Sequence, residues 1–149
     1  MTHRILFVCL GNICRSPSAE AVVRAKAAER GVSLEIDSAG TGDWHIGAPP
    51  YAPMQEALRA RGYDASGLRA RQVSRADFDR FDLIVAMDDS NLSDLRRLRR
   101  DGTGAALRLF TDYAPDAGMD HVPDPYYTRD FDGCLDLVEL AADGLLDRL

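Results

Sequence analysis

Two residues six positions apart carry the most specific chemistry in this sequence. Cys9 closes the apolar run HRILFVC, and Arg15 follows Leu10, Gly11, Asn12, Ile13 and Cys14, with Ser16 directly after it. A thiol at the end of a strand and ahead of a helix N-terminus lies in a positive field that favours the thiolate, the nucleophilic form. A loop of this length, curved tightly at Gly11, can turn successive backbone N–H groups inward and form a cradle for an anion such as phosphate. The planar guanidinium of Arg15 matches two phosphoryl oxygens and would hold charge developing on them. Ser16 could hydrogen-bond the sulfur when it departs. Attack of Cys9 on phosphorus is one consistent reading; a buried structural cysteine before an ordinary capped turn fits the bare Cys-x5-Arg spacing as well.

An ester of a phenol needs its leaving oxygen protonated, and a phosphocysteine then needs a water activated; one carboxyl group can serve both steps. Asp124, held between Pro123 and Pro125, is the candidate, because flanking prolines restrict a loop and reduce the ordering entropy lost. The competing reading is a proline-rich turn with the aspartate as a local acceptor. Tyr126 and Tyr127 follow it, and Trp44 lies in the loop after the second apolar run, so the three could wall a slot that stacks on a phenyl ring.

Positioning such groups requires a scaffold, and apolar runs alternate with helical patterns as in an α/β sheet, without repeat or linker. Strands are expected over Arg4 to Cys9, Leu34 to Ala39, Asp82 to Met87 and Ala106 to Phe110, each read as buried on both faces. The first helix is expected from a Ser16 cap, with Pro17 at its first position and Gly31 at its exit. Others are expected over Pro50 to Arg61 and Ser90 to Arg100. In the last helix Phe131, Leu135, Val138, Ala142, Leu145 and Leu149 share one face by steps of four and three. Parallel sheets bind ligands beyond the carboxyl ends of their strands, which is where Cys9 falls.

The 149 residues predict one domain, 1–149, with 46% hydrophobic and 28% charged residues and no run long enough to span a membrane. The N-terminal run reads as a strand, not a signal peptide. Three cysteines, Cys9, Cys14 and Cys134, are too few for a disulfide scaffold and predict a reducing, cytoplasmic setting. No metal is expected, since His3, His45 and His121 are scattered and no CxxC or HExxH occurs. A net charge of -6 disfavours nucleic acid as a partner. Walker A is absent, Lys26 being the only lysine, and Gly40-Thr41-Gly42 fails as a dinucleotide fingerprint because it does not open a helix. The basic run from Arg96 to Arg100 reads as a solvated helix end whose cations complement the dipole.

The motifs CLGNICRSP, SAGT, Arg71-Gln72 and DPYY, in this order along nearly the whole chain, make it resemble the low-molecular-weight protein tyrosine phosphatases. That resemblance implies a three-layer α/β fold with a four-stranded parallel sheet in the order 2-1-3-4, cysteinyl-phosphate chemistry and no cofactor. It implies Cys9 as nucleophile, Arg15 as phosphate clamp and Asp124 as general acid and base. Leu10 to Cys14 and Ser16 would form the phosphate-binding loop, and Trp44 and Tyr126, with Tyr127, the pocket walls. Phosphotyrosine proteins would be the partners, inorganic phosphate the product or inhibitor, and a monomer the expected state. Asn12 and Ser38 correspond to polar residues that brace the loop. One departure is Leu68, where relatives commonly carry a histidine, which puts the network around Ser38 in question. The segment after DPYY, Thr128 to Asp130, also looks shorter than usual.

Cys14 lies close enough in the chain for a reversible Cys9–Cys14 disulfide if the loop curls, and oxidative inactivation is expected; a small loop residue without redox role is the other reading. Cys134 reads as packing or partial exposure. Arsenate reduction through the same loop would need further resolving cysteines, and none occurs from Asp82 to Asn91. Phosphoarginine phosphatases typically have Thr where this chain has Ile13, which favours phosphotyrosine. A non-catalytic phosphopeptide-binding module would be expected to lose Cys9, Arg15 or Asp124.

Overall fold

From Ile5 to Cys9 the first strand carries no charged or hydrogen-bonding side chain apart from the terminal thiol, and every one of these residues is buried, as a strand covered on both faces requires. In the computed structural model, which describes residues 3–99 and 104–149, this strand, β1 (His3–Cys9), pairs in parallel with β2 (Leu34–Gly40) on one side and β3 (Leu83–Ala86) on the other. β4 (Ala106–Leu109) pairs with β3 and completes the order β2-β1-β3-β4. The register sets Cys9 opposite Gly40, so both strand ends reach the same edge.

Alternation along β1 splits the core into two layers. Ile5, Phe7 and Cys9 join the cluster formed with α1 (Arg15–Arg30), α2 (Ala52–Ala60) and α6 (Phe131–Asp147). Leu6 and Val8 face α3 (Asp77–Arg80) and α4 (Asp89–Arg99), with Phe78, Leu92 and Leu95. Complete burial of a side chain such as Phe7 stabilises the fold by about 1.5–3 kcal/mol. On α6, Leu135, Val138, Ala142 and Leu145 are fully buried, whereas Phe131 is half-buried and Leu149 lies past the helix end and is exposed. Gly31 ends α1 in the left-handed region, at φ 69°, where a side chain would be strained.

Several expectations need correction. β2 and β4 are the edge strands of the sheet, and each carries exposed and half-buried residues instead of burial on both faces. α1 begins at Arg15, with Cys14 at its cap position and no side-chain cap; the Ser16 hydroxyl is engaged elsewhere. α2 is shorter than Pro50 to Arg61 at both ends, because Pro53 sets its first turn and Arg61 leaves the helical ladder before Gly62 at φ 88°. α4 runs from Asp89 to Arg99; Arg100 lies outside the described residues. Its basic end is partly engaged, Arg97 pairing with Asp94 and Arg99 donating to the Ala105 carbonyl at 3.0 Å. The short α3 and α5 (Pro125–Thr128) have too few turns to leave a periodic pattern.

Candidate active site

Beyond Cys9 the chain crosses the sheet edge and re-enters as α1 after only five residues, a path that depends on two unusual backbone positions. Asn12 adopts φ 56°, a left-handed conformation that asparagine tolerates better than most residues. Gly40, opposite Cys9, must lack a side chain: a Cβ there would meet the Leu10 carbonyl oxygen at 2.7 Å and Asn12 Cβ at 3.2 Å. The glycine of SAGT is therefore the floor on which the loop rests. Leu10 and Cys9 accept from Gly42 and Thr41, each at 2.9 Å, fixing the loop to the chain after β2.

Within the loop the Cys9 sulfur receives the Asn12 backbone N–H at 3.3 Å and lies 3.0 Å from Ser16 Oγ. Among the described residues the N–H groups of Gly11, Ile13, Cys14 and Arg15 take no partner; they belong to a loop that lines a cavity of about 260 Å³. Free N–H groups at a helix start form an anion site. The Asn12 side chain spans the loop from behind. Its Oδ1 accepts from Arg71 N at 3.0 Å, and its Nδ2 donates to Ser16 Oγ at 2.7 Å and Ser38 Oγ at 3.0 Å. Arg71 is itself placed by a bridge of Gly40 to Gln72 and by ion pairs to Asp37 and Asp77, which gives the Arg71-Gln72 motif its structural sense.

Arg15 is buried, with its guanidinium directed at the cavity. Its Nη1 donates to Asp88 Oδ2 at 2.8 Å and the Val122 carbonyl at 3.0 Å, and its Nη2 reaches Asp124 Oδ2 at 3.5 Å. Burial works against the charged guanidinium, but the Cys9 sulfur and the carboxylates of Asp88 and Asp124 outweigh it and hold the group charged. Asp124 caps α5, with Oδ1 accepting from Tyr126 N at 3.1 Å while Oδ2 faces Arg15. It is thus a local acceptor, and the same geometry aims its second oxygen into the site.

The cavity is lined by Cys9, Leu10, Gly11, Ile13, Cys14 and Arg15 below, and by Trp44, His45, Asp124, Tyr126 and Tyr127 around the mouth. Of the residues expected to form loop, clamp, acid and walls, all but Asn12 and Ser16 line this cavity; those two lie behind it, on the Cys9 sulfur. Ser38 lies behind the loop, and the network around it is complete despite Leu68: its hydroxyl donates to Glu20 Oε1 at 2.8 Å. Leu68 instead packs against the core.

Cys14 and Cys134 are buried and all three thiols are free. Burial, with Asp124 and the neighbouring sulfurs, pushes the Cys14 thiol up, and burial pushes Cys134 up to about 12. Cys134 is a core residue of α6 beneath the loop, without the partial exposure allowed for it.

Four contributors escape the sequence reading. Asp88 follows the carboxyl end of β3, where a polar residue beyond an apolar run is itself a signal. His45 packs its ring on the loop after β1, 3.1 Å from where a Cβ on Gly11 would lie. Tyr51 joins floor to rim: its N–H donates to Ile13 O at 2.8 Å and its ring lies 5.2 Å from that of Tyr126. Glu20 is a charged residue on the buried side of α1, detectable only once the helix is seated.

Residues 4–149 match the family model described as low molecular weight phosphotyrosine protein phosphatase. The low molecular weight protein-tyrosine-phosphatase YfkJ of Bacillus subtilis is 46% identical over 144 residues, covering 95% of this chain and 92% of its own length. Its crystal structure superposes with a TM-score of 0.95, at 44% identity, over 99% of this chain and 94% of that one. A low molecular weight protein-tyrosine-phosphatase of Streptomyces coelicolor is 48% identical over 153 residues, covering 98% of this chain and 93% of its own. The crystal structure of a Drosophila arginine phosphatase is also similar, with a TM-score of 0.91 and 30% identity over 97% of this chain and 96% of that one.

Proposed function

The chain belongs to the low molecular weight phosphotyrosine protein phosphatase family, and from that premise we propose that it hydrolyses phosphotyrosine in proteins, and small aryl phosphates, through a cysteinyl-phosphate intermediate. The observation that carries this reading is the convergence of the Cys9 sulfur, unpartnered loop N–H groups, the Arg15 guanidinium and the Asp124 carboxyl on one cavity.

A phosphate dianion enters the loop and takes the free N–H groups while Arg15 clamps two of its oxygens. The Cys9 thiolate attacks phosphorus opposite the tyrosyl oxygen. As that P–O bond breaks, Asp124 gives its proton to the leaving phenolate. Ser16, 3.0 Å from the sulfur, is placed to hydrogen-bond it. Tyrosine leaves, and Asp124, now ionised, takes a proton from water as the water attacks the phosphocysteine. The P–S bond breaks, releasing inorganic phosphate and restoring the thiolate. Cys14 serves as the resolving thiol when Cys9 is oxidised.

Hydrolysis of phosphoarginine is the second reading, favoured by the likeness to an arginine phosphatase structure. Ile13 in the cavity floor and the aromatic wall of Trp44 and Tyr126 support the aryl ester, since an apolar slot accepts a phenyl ring without leaving a guanidinium's donors unmatched. Purified protein incubated separately with an aryl phosphate, a phosphotyrosine peptide and a phosphoarginine peptide should release phosphate from the first two preferentially. Faster release from phosphoarginine overturns the substrate assignment. Cys9→Ser should abolish release, and substantial remaining turnover removes Cys9 as nucleophile.

A further inference from the structure

The hydrogen bonds leading away from Cys9 form a chain that ends on a buried carboxylate with no part in the reaction just described. Cys9 Sγ lies 3.0 Å from Ser16 Oγ, which lies 2.7 Å from Asn12 Nδ2. That nitrogen is 3.0 Å from Ser38 Oγ, and Ser38 Oγ is 2.8 Å from Glu20 Oε1. The other carboxylate oxygen, Glu20 Oε2, accepts from Arg24 Nη2 at 2.8 Å.

Direction along this chain follows from what each group can donate. An ionised carboxylate only accepts, so the Ser38 hydroxyl gives its proton to Glu20 and its oxygen is left to accept from Asn12. The Asn12 amide is held in one orientation from two sides: Oδ1 accepts the Arg71 backbone N–H at 3.0 Å, and Ser38, its proton committed to Glu20, offers Nδ2 only an acceptor. Nδ2 therefore faces both serines and spends one hydrogen on each. Ser16 Oγ, already an acceptor, keeps its own proton for an acceptor on its other side. Two are present: the Cys9 sulfur at 3.0 Å and the Ala39 carbonyl at the longer distance of 3.4 Å.

We infer that Glu20 is a positioning residue that, together with the Arg71 N–H, fixes the polarity of this chain and so reserves the Ser16 proton for the Cys9 sulfur. The inference rests on Cys9 being the nucleophile. It also explains how the loop tolerates leucine at position 68: the acceptor for Ser38 comes from α1, and Leu68 is free to pack against the core.

The charges around the two ends are few. Glu20 faces Arg24 on its own helix and Asp37 on β2; burial pushes its carboxyl up, while the Ser38 hydroxyl and Arg24 act against that push. Cys9 shares its surroundings with Arg15, Asp124, Cys14 and Cys134, with His45 on the wall of the same cavity and with Asp88, which pairs with Arg15. Glutamine at position 20 keeps the shape and removes one acceptor. Arg24, which only donates, then competes with Ser38 for a single oxygen, and the amide NH2 left facing Ser38 opposes the direction of the chain.

The test is the pH profile of iodoacetamide alkylation at Cys9, read by mass spectrometry, with kcat/KM for an aryl phosphate beside it. In E20Q the alkylation profile should move up by about one pH unit, a roughly tenfold loss of thiolate on its lower limb, and kcat/KM near pH 6 should fall about tenfold with it. Ser38→Ala should give the same shift, and the double variant should add nothing to Ser38→Ala. A folded E20Q with an unmoved profile overturns the inference, as do shifts that add independently in the double variant. If E20Q does not fold, Ser38→Ala alone decides, since it cuts the link but leaves Glu20 paired with Arg24; an unmoved profile there has the same force. Alkylation needs no substrate, so its outcome is separate from which phosphoester is hydrolysed, and an error in the nucleophile would appear instead as activity in Cys9→Ser.

Discussion

The floor and the rim of the cavity are built in opposite ways. Cys9, Asn12, Arg15 and Ser16 are each no more than 3% exposed and are tied to one another, to β2 and to the segment at Arg71 by side-chain hydrogen bonds. At the rim, Trp44 is 69% and Tyr127 73% exposed, and the ring contacts of Tyr126 with Tyr51 and Tyr127 are its main restraints. A buried, fully paired group loses little further entropy when substrate binds and is already oriented for the transition state, whereas an exposed aromatic contributes contact area that any similar ring could replace. In the proposed reaction chemistry therefore belongs to the floor and selection among phosphoesters to the rim, with Asp124 between them, fixed by α5 and facing Arg15.

Closing the floor covalently should produce the largest effect. Peroxide oxidises the Cys9 thiolate to a sulfenic acid and is itself reduced to water; the Cys14 thiol then displaces water from that sulfenic acid to give a Cys9–Cys14 disulfide. Activity should vanish and return fully with dithiothreitol, whereas in Cys14→Ser a second equivalent of peroxide should carry the unresolved sulfenic acid to the sulfinic acid, which dithiothreitol does not reduce. Cys14 and Cys134 should both resist direct alkylation at neutral pH, because burial keeps them as thiols. Failure of mass spectrometry to find the bridge in inactivated protein sinks this role for Cys14.

Next in size is the group between the two regions. Asp124→Ala should lower kcat by about a hundredfold, at the lower end of what a positioned general acid supplies. The loss should grow as the leaving phenol becomes less acidic, and the alkaline limb of the kcat/KM profile should flatten. An equal loss for good and poor leaving groups would mean that the carboxylate serves only to orient Arg15.

The same division governs how much could be read from the chain alone. The floor is compact in sequence: Cys9 to Ser16 follow one another, so strand, loop and helix start fix their geometry together, and Cys9 and Arg15 are visible as a motif. Its supports are not. Asp88 and Val122 reach Arg15 across 73 and 107 residues, and the Asn12 amide meets Arg71 59 residues away, so these pairings exist only once the sheet has assembled. The resemblance to a known family supplied Ser38 but left its partner open at Leu68, because the substitute acceptor, Glu20, comes from another element. By residue type Ser16 reads as a helix cap, yet its hydroxyl is turned to the sulfur, and the cap and first helical residue lie two positions earlier, at Cys14 and Arg15. The edge position of β4 does have a sequence signal, Arg108, a charge inside Ala106 to Leu109 that a strand buried on both faces would not carry.

Trp44→Ala should have the smallest effect, and it tests the division most directly. The ring lies over Gly42, where even a Cβ would come within 2.2 Å of it, and its remaining surface is open at the cavity mouth. Removing it takes away one face of contact with the substrate ring, worth about 1 kcal/mol, which corresponds to roughly a fivefold loss in kcat/KM. That loss should appear in KM with kcat nearly unchanged, because contact with the ring is made equally in the ground and transition states. It should be absent for a small alkyl phosphate, which has no ring to stack. A drop in kcat of the same size for both substrates would show that Trp44 holds the loop in place, and would make the rim part of the catalytic floor.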